Sequence, residues 1–317
     1  MTVRVVGADE LRARLCFEDL IEPIARAFED TSAGRAHNGL VVMVPDGRPE
    51  LGDVYVKTGT LHGHAVYIVK VSPWFAINVE RGAPQGGFIA VCDSRTGHTL
   101  ALLDDQHYLS DIRTAAAGAL AARVLAPPEI ETAAVLGGGV QAYWQPLALY
   151  RERRFTRLVV WTRVRDHAAA LQARLAPHLP GVAIELASDL ERTVRRADVV
   201  ITATSAREPL VRGAWLRDGQ HVTAVGADDP SKCELDVHAL ARARVVVDAR
   251  DTAAANGCIH RAIAGGGYRL TDVAAELGEV LAGTRPGRRS PRDVTIAKLV
   301  GLGAQDLAAA EQALARL

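Results

Sequence analysis

The stretch Ala133–Ala142 reads AAVLGGGVQA, and its Gly137, Gly139 and Ala142 form the pattern G-x-G-x-x-A. After a strand, the first glycine of such a pattern permits a tight turn and the second lets the backbone approach a pyrophosphate. The third small residue allows close packing of helix on strand. The amides of Val140, Gln141 and Ala142 would then open a helix without intrahelical partners, which suits them to phosphate oxygens. A second set of residues carries charge in unusual places. Lys70 stands inside the apolar run VYIVKVSPWF, and Lys57 inside DVYVKTGTL. A lysine in such a strand either snorkels to solvent or faces a cavity and meets a carboxylate. Arg113, in YLSDIRTAAAG, offers a fork for a substrate carboxylate; its alternative is a salt bridge to Asp111 or across a domain boundary. Asp228 follows VTAVG and opens DDPSKCELD. The carboxyl end of a parallel strand is where ligands approach an open α/β sheet, so Asp228 could orient an amino group or exchange a proton. Asp229 could fill that role instead, or either acid could cap a helix near Pro230.

The glycine pattern has meaning only between a strand and a helix. From Glu131 onward the rhythm is strand, helix, strand, with short apolar runs at 133–136, 157–162, 183–186, 199–202, 222–225 and 245–247. Such runs favour a parallel sheet covered on both faces. The expected fold class is therefore α/β, with a Rossmann-type dinucleotide-binding domain over 127–289. The first 126 residues read differently. Asp19 could cap a helix carrying Ile21, Ile24, Ala25 and Phe28, and strands are expected at 39–44, 53–56, 67–71, 87–92 and 98–103. The last two strands flank a turn at Asp93–Gly97. This pattern describes an antiparallel or mixed sheet. An alanine-rich helix over 109–125 ends at Pro127-Pro128, where a domain boundary fits. Further helices are expected over 270–281, with Asp272 near its cap, and over 307–317.

The cofactor reading turns on the end of the second strand of the parallel series, VVWTRVRDH. NAD sites commonly place an acid there for the ribose diol, whereas Thr162 and Arg163 hold that position here. A threonine and an arginine suit a 2′-phosphate, so the expectation favours NADP(H), with NAD(H) as the alternative. Thr202, Thr204 and Ser205 follow a buried strand and suit the nicotinamide side of the crevice, or else a helix cap.

Composition limits the partners. Of 317 residues, 49% are hydrophobic and 23% charged, and 37 basic residues balance 37 acidic ones. Such a balance gives no net field toward nucleic acid or an anionic membrane. No run reaches the length of a membrane span, and MTVRVVGADE carries no apolar signal segment, so a cytoplasmic protein is expected. Four scattered cysteines fit a reducing compartment. The histidines show no zinc spacing, so no metal is expected, and no G-x-S-x-G element supports hydrolysis.

The segments VYIVKVSPWF, YLSDIRTAAAGALAARVLAP, VLGGGVQA, GADDPSKCELD and VTIAKLVGLGAQDLAAA, in this order and spacing, resemble the ornithine cyclodeaminase/μ-crystallin family. The resemblance covers nearly the whole chain. It implies an NAD(P)-binding domain joined to an α+β substrate-binding and dimerisation domain, with the C-terminal segment, 290–317, returning to the latter, and a homodimer. It implies that Lys70 and Arg113 hold the substrate carboxylate and that Asp228 is the catalytic acid. Two positions depart from the family pattern. Gly138 replaces a common threonine, and Asn38 stands near a position where an arginine usually completes the carboxylate clamp; Lys57 would compensate. YLSDIRTAAAG and the strand holding Lys57 are closer to the imino-acid reductase and ectoine-utilisation branch. The implied activity is NAD(P)H-dependent reduction of a small imino acid or cyclic ketimine with an α-carboxylate. The alternatives are an NAD-dependent cyclodeaminase acting on a diamino acid and a non-enzymatic ligand-binding protein.

Overall fold

The computed structural model describes residues 2–82 and 85–317. The chain forms two compact units. One runs from the N-terminal residues through Ala116 and includes Leu302–Leu317; the other is Ala117–Gly301.

The first unit contains β1 (Arg4–Gly7), α1 (Ala8–Arg14), α2 (Ile21–Ser32), β2 (Ala36–Met43), β3 (Gly52–Leu61), β4 (Val66–Phe75), α3 (Ala76–Glu80), β5 (Phe88–Asp93), β6 (Thr99–Asp104) and the first half of α4 (Tyr108–Leu125). Its sheet has the order β1-β6-β5-β4-β3-β2, with β1 parallel to β6 and the other pairs antiparallel. Residues Ile21, Ile24, Ala25 and Phe28 bury one face of α2, as their helical spacing requires. Asp19 does not cap this helix. Its carboxylate accepts the Cys16 amide and closes the 3-10 turn Phe17–Leu20 that precedes α2. At the β5–β6 turn, Asp93 accepts the amides of Arg95 and Thr96, and Gly97 takes φ +73°.

The second unit carries β7 (Thr132–Leu136), α5 (Val140–Glu152), β8 (Arg157–Trp161), α6 (Arg165–Leu175), β9 (Ala183–Ala187), α7 (Leu190–Arg196), β10 (Val199–Thr202), β11 (His221–Ala224), α8 (Val237–Arg242), β12 (Arg244–Val247), α9 (Arg250–Ala255), α10 (Gly257–Ala264), β13 (Ala275–Glu276), α11 (Leu277–Leu281) and β14 (Thr295–Lys298). The strands form one parallel sheet in the order β13-β12-β14-β11-β10-β7-β8-β9. Successive residues of β7 enter different cores. Ala133 and Val135 pack on one face, and Ala134 and Leu136 on the other. Strand side chains alternate, so a continuous apolar run means that both faces are covered.

Two local expectations change. No single helix spans 270–281. Asp272 closes a 3-10 turn on Arg269, then Ala274 donates to the Val245 carbonyl. That bond draws Ala275 and Glu276 onto the free edge of β12 before α11 begins. The strand Thr295–Lys298 was not anticipated, and it inserts between β11 and β12. The part of the chain that belongs with the first unit is therefore Leu302–Leu317. It forms α12 (Gly303–Ala315), which lies against α2, β3 and β4.

Candidate active site

In the second unit the glycine loop joins β7 to α5. Gly137 has φ +132°, and a Cβ there would stand 2.3 Å from the Ala203 carbonyl oxygen, so only glycine fits. A Cβ on Gly139 would meet nothing within 4 Å. Gly139 is the N-cap of α5 and supplies no side-chain cap, so the amides of Val140, Gln141 and Ala142 open the helix beside an uncluttered backbone. Ala142 is fully buried against the sheet, which gives the close helix-strand packing that the third small position serves. These residues fit a dinucleotide pyrophosphate.

Thr202, the last residue of β10, is fully buried, and Ser205 beyond the strand is exposed. No helix begins at these residues, the next helical turn being Gly213–Trp215, so the helix-cap alternative is not realised. Thr204 donates both its amide (2.7 Å) and its hydroxyl (2.9 Å) to one oxygen of Glu234. The other Glu234 oxygen accepts the amides of Gly226 (2.9 Å) and Ala227 (3.2 Å). This fully buried acid therefore ties the loop after β10 to the loop after β11. Burial pushes its carboxyl above the usual range, against the pull of the Thr204 amide and Lys298.

Asp228 follows directly in the second of these loops. Its carboxylate accepts the Lys232 ammonium at 2.6 Å and stays part-exposed. Asp229 is turned inward to the local chain, where it accepts the Ser231 amide and hydroxyl. Of the two acids, Asp228 is the one presented at the carboxyl end of the sheet. Burial works against the Lys232 charge, but Asp228 and Asp229 outweigh it and hold that ammonium above its ordinary range.

In the first unit, β3 and β4 pair so that Lys57 stands directly opposite Lys70. Both lysines are buried, as is Arg113 on α4. The snorkelling alternative fails for both lysines. The group that gathers them is Asp306, in the first turn of α12 and fully buried. Its Oδ2 lies 2.8 Å from Lys70 Nζ, and its Oδ1 accepts Arg113 Nε at 2.9 Å. Lys70 also donates to Ser110 Oγ at 3.0 Å. Burial alone would raise the Asp306 pKa, but Lys70, Arg113 and Lys57 outweigh it and hold the carboxyl far below the carboxylate range. Burial pulls the Lys70 ammonium below its ordinary range; Asp306 opposes that pull and Arg113 adds to it. The predicted Arg113–Asp111 alternative is not what forms: Arg113 turns to Asp306, and Asp111 meets His107.

Asn38 does different work from the arginine of the family pattern. Its side-chain oxygen accepts the Ala304 amide at 2.7 Å and so caps α12. Gly59 and Gly303 allow the same helix to approach β3, since a Cβ on Gly59 would stand 2.2 Å from the Gly303 carbonyl oxygen. Sequence reasoning missed Asp306 and the clamp made by Glu234. The available signal for Asp306 was an acid within the small apolar run GAQDLAAA. For Glu234 it was an acid within the short segment CELD.

A parallel doubly covered sheet with a glycine-rich phosphate loop, joined to a unit holding a buried cation cluster, defines a nicotinamide-dinucleotide oxidoreductase. The chain belongs to the ornithine cyclodeaminase/mu-crystallin family, whose model matches residues 3–317. Three solved structures are similar over nearly its full length. Δ1-Pyrroline-2-carboxylate reductase of Thermococcus litoralis, in complex with NADH and L-proline, is 27% identical with TM-score 0.91, covering 99% of this chain and 97% of that one. An archaeal alanine dehydrogenase dimer with bound NAD is 29% identical with TM-score 0.90, covering 100% and 96%. The iminosuccinate reductase of Paracoccus denitrificans, in complex with NAD+, is 29% identical with TM-score 0.88, covering 99% and 95%.

These complexes correct the expected preference for NADP(H): all three hold the cofactor without the 2′-phosphate. The physical reason is local. Thr162 gives its hydroxyl to the Val164 carbonyl within its own loop, and Arg163 is an exposed side chain. The missing acid at the end of β8 removes a repulsion but builds no phosphate site.

Proposed function

We propose that this protein is an NAD(H)-dependent reductase of a small imino acid or cyclic ketimine carrying an α-carboxylate, with an amino acid as product. The observation that carries this reading is the cluster of Lys57, Lys70 and Arg113, three buried cations gathered by the carboxylate of Asp306, with Asp105 as the one further buried acid acting on Lys70 among the described residues. Buried cations in excess over buried anions suit a substrate carboxylate. Lys70 and Arg113 would bind that carboxylate and draw electron density from the C=N bond, and Lys57 would add charge where the arginine of the family pattern is missing. NAD(H), when bound at Gly137, Gly139, Val140, Gln141 and Ala142, supplies a hydride for the imine carbon. Asp228 would exchange the proton on the nitrogen, with Lys232 holding its carboxylate in place through their ion pair. Thr202, Thr204 and Ser205 would border the nicotinamide, their loop shaped by Glu234.

Within the family we read the chain as closer to the imino-acid reductase and ectoine-utilisation branch. What supports that reading is the form of YLSDIRTAAAG together with the strand that carries Lys57. We read the protein as cytoplasmic, since its four cysteines are free. Among the described residues no helix is long and apolar enough to cross a membrane. We also read it as a homodimer. Val41, Val42 and Met43 are exposed on β2, an edge strand, and exposed apolar edges call for a partner.

The test is NADH consumption with Δ1-pyrroline-2-carboxylate, Δ1-piperideine-2-carboxylate, iminosuccinate, and pyruvate plus amines. At least one should be reduced, and Gly139→Val should abolish NADH binding without unfolding the chain, since its Cβ would project into open space. Ammonia and a cyclic amino acid formed from a diamino acid, with no nicotinamide added, would replace this reading with a cyclodeaminase.

A further inference from the structure

Asp306 is charged, fully buried and carried by the last helix of the chain, far in sequence from the cations it meets. Its two oxygens are divided between two partners: Oδ2 to the Lys70 ammonium and Oδ1 to Nε of the Arg113 guanidinium. Arg113 thus uses one edge of its fork on Asp306, so its terminal nitrogens are not needed for that contact. The helix is fixed at the height where this division works. Asn38 caps the Ala304 amide, Gln305 accepts the Leu302 amide, and the Gly59–Gly303 contact sets the approach to β3.

We propose that Asp306 is a positioning residue for the substrate. Through separate oxygens it holds the Lys70 ammonium and the Arg113 guanidinium side by side, so that one α-carboxylate can meet both. The inference rests on the imino-acid reading above. It adds that the C-terminal helix completes the carboxylate receptor, although none of its residues need touch the ligand.

The groups around Lys70 make the consequence readable by pH. Asp306 faces it from α12, Arg113 and Ser110 from α4, Lys57 from β3 and Asp105 from the turn before α4; its neighbour on β5, Ile89, is apolar. Removing the Asp306 charge leaves burial and Arg113 both acting to discharge Lys70, with Asp105 alone opposing them.

The experiment compares wild type, Asp306→Asn and Asp306→Glu. It measures KM for Δ1-pyrroline-2-carboxylate, KM for NADH, and binding of L-proline and pyruvate by calorimetry across neutral and alkaline pH. For Asp306→Asn we expect KM for the imino acid to rise at least about ten-fold, with KM for NADH unchanged. The loss should deepen as pH rises, and Asp306→Glu should restore part of it. Equal carboxylate affinity in wild type and Asp306→Asn at every pH would overturn the proposal. So would a loss shared equally by NADH and independent of pH, or a wild type that binds neither carboxylate. If Asp306→Asn does not fold, Asn38→Ala should raise the imino-acid KM in the same direction by freeing the helix start; no change there would overturn the proposal. Calorimetry needs no turnover. A wild type that binds carboxylate through Asp306 but reduces no imine would refute the reaction and leave the positioning role standing.

Discussion

Each unit contains a fully buried carboxylate, and the two are held by opposite means. Asp306 in the first unit is surrounded by side-chain cations, whereas Glu234 in the second is surrounded mainly by backbone amides. The surroundings move the two acids in opposite directions: cations drive Asp306 down, while burial still prevails at Glu234 despite its four hydrogen bonds. Cations compensate a buried charge over several ångströms, whereas an amide compensates it only by a directed bond. The difference matches two tasks. A cluster of side-chain charges can be shared with a charged ligand. A set of amides locked onto one acid fixes the path of a loop, here the loops bearing Thr204 and Asp228.

The largest test of this contrast is Arg113→Ala. It would leave Asp306 buried with one of its two direct partners gone, and breaking a buried pair costs about 3–5 kcal/mol. Chemical denaturation should show that loss. The triple replacement Lys70→Met, Arg113→Leu, Asp306→Leu should recover stability without recovering imino-acid reduction. If Arg113→Ala were as stable as wild type, the cations would not be what holds Asp306.

Glu234→Gln should have a smaller effect of a different kind. A glutamine offers one acceptor oxygen and turns an N–H₂ group toward amides that already donate. Each charge-assisted bond lost costs roughly 1.5–3 kcal/mol. We expect a fall in kcat and weaker NADH binding, with carboxylate binding by the first unit retained. An unchanged kcat would show that the two loops hold their shape without the clamp.

The smallest effect is a pH dependence within the second unit. His221 is fully buried; because the Thr295 hydroxyl donates to the Leu125 carbonyl, His221 Nδ1 donates to Thr295 and Nε2 accepts from Thr223. Burial, with Arg288 nearby, lowers its pKa from 6.5 to about 3. The unfolded chain therefore takes up a proton that the folded unit refuses. Stability present above pH 6.5 should fall as pH drops toward 3, by about 1.4 kcal/mol per pH unit in between. Denaturation midpoints from neutral to mildly acidic pH measure this. His221→Gln should flatten the slope, and an unaltered slope would assign the acid sensitivity to other groups.

Much of the fold was legible because its signals are local. The apolar runs at Ala133–Leu136 and Val199–Thr202, the turn at Asp93–Gly97 and the long helix before Pro127 all act within a few residues. The failures occurred where a distant partner decided. Ala275 and Glu276 became a strand because the edge of β12 was open to them, and Thr295–Lys298 joined the parallel sheet through neighbours some fifty to seventy residues earlier in sequence. The cofactor preference failed for a related reason. Thr162 and Arg163 have the right chemistry for a phosphate, but the Thr162 hydroxyl bonds its own loop.

By itself the sequence determined the glycine loop, because the turn after β7 requires glycine at Gly137 and a helix start after Gly139, both within one short segment. It also marked Lys57, Lys70 and Arg113 as out of place among apolar neighbours. Only the tertiary structure decided what those charges face. Burying three cations demands an anion, and the chain supplies it from α12, almost two hundred residues beyond Arg113 (a separation of 193). No periodicity carries that pairing; it exists because Asn38, Gly59 and Gly303 bring α12 down onto β3.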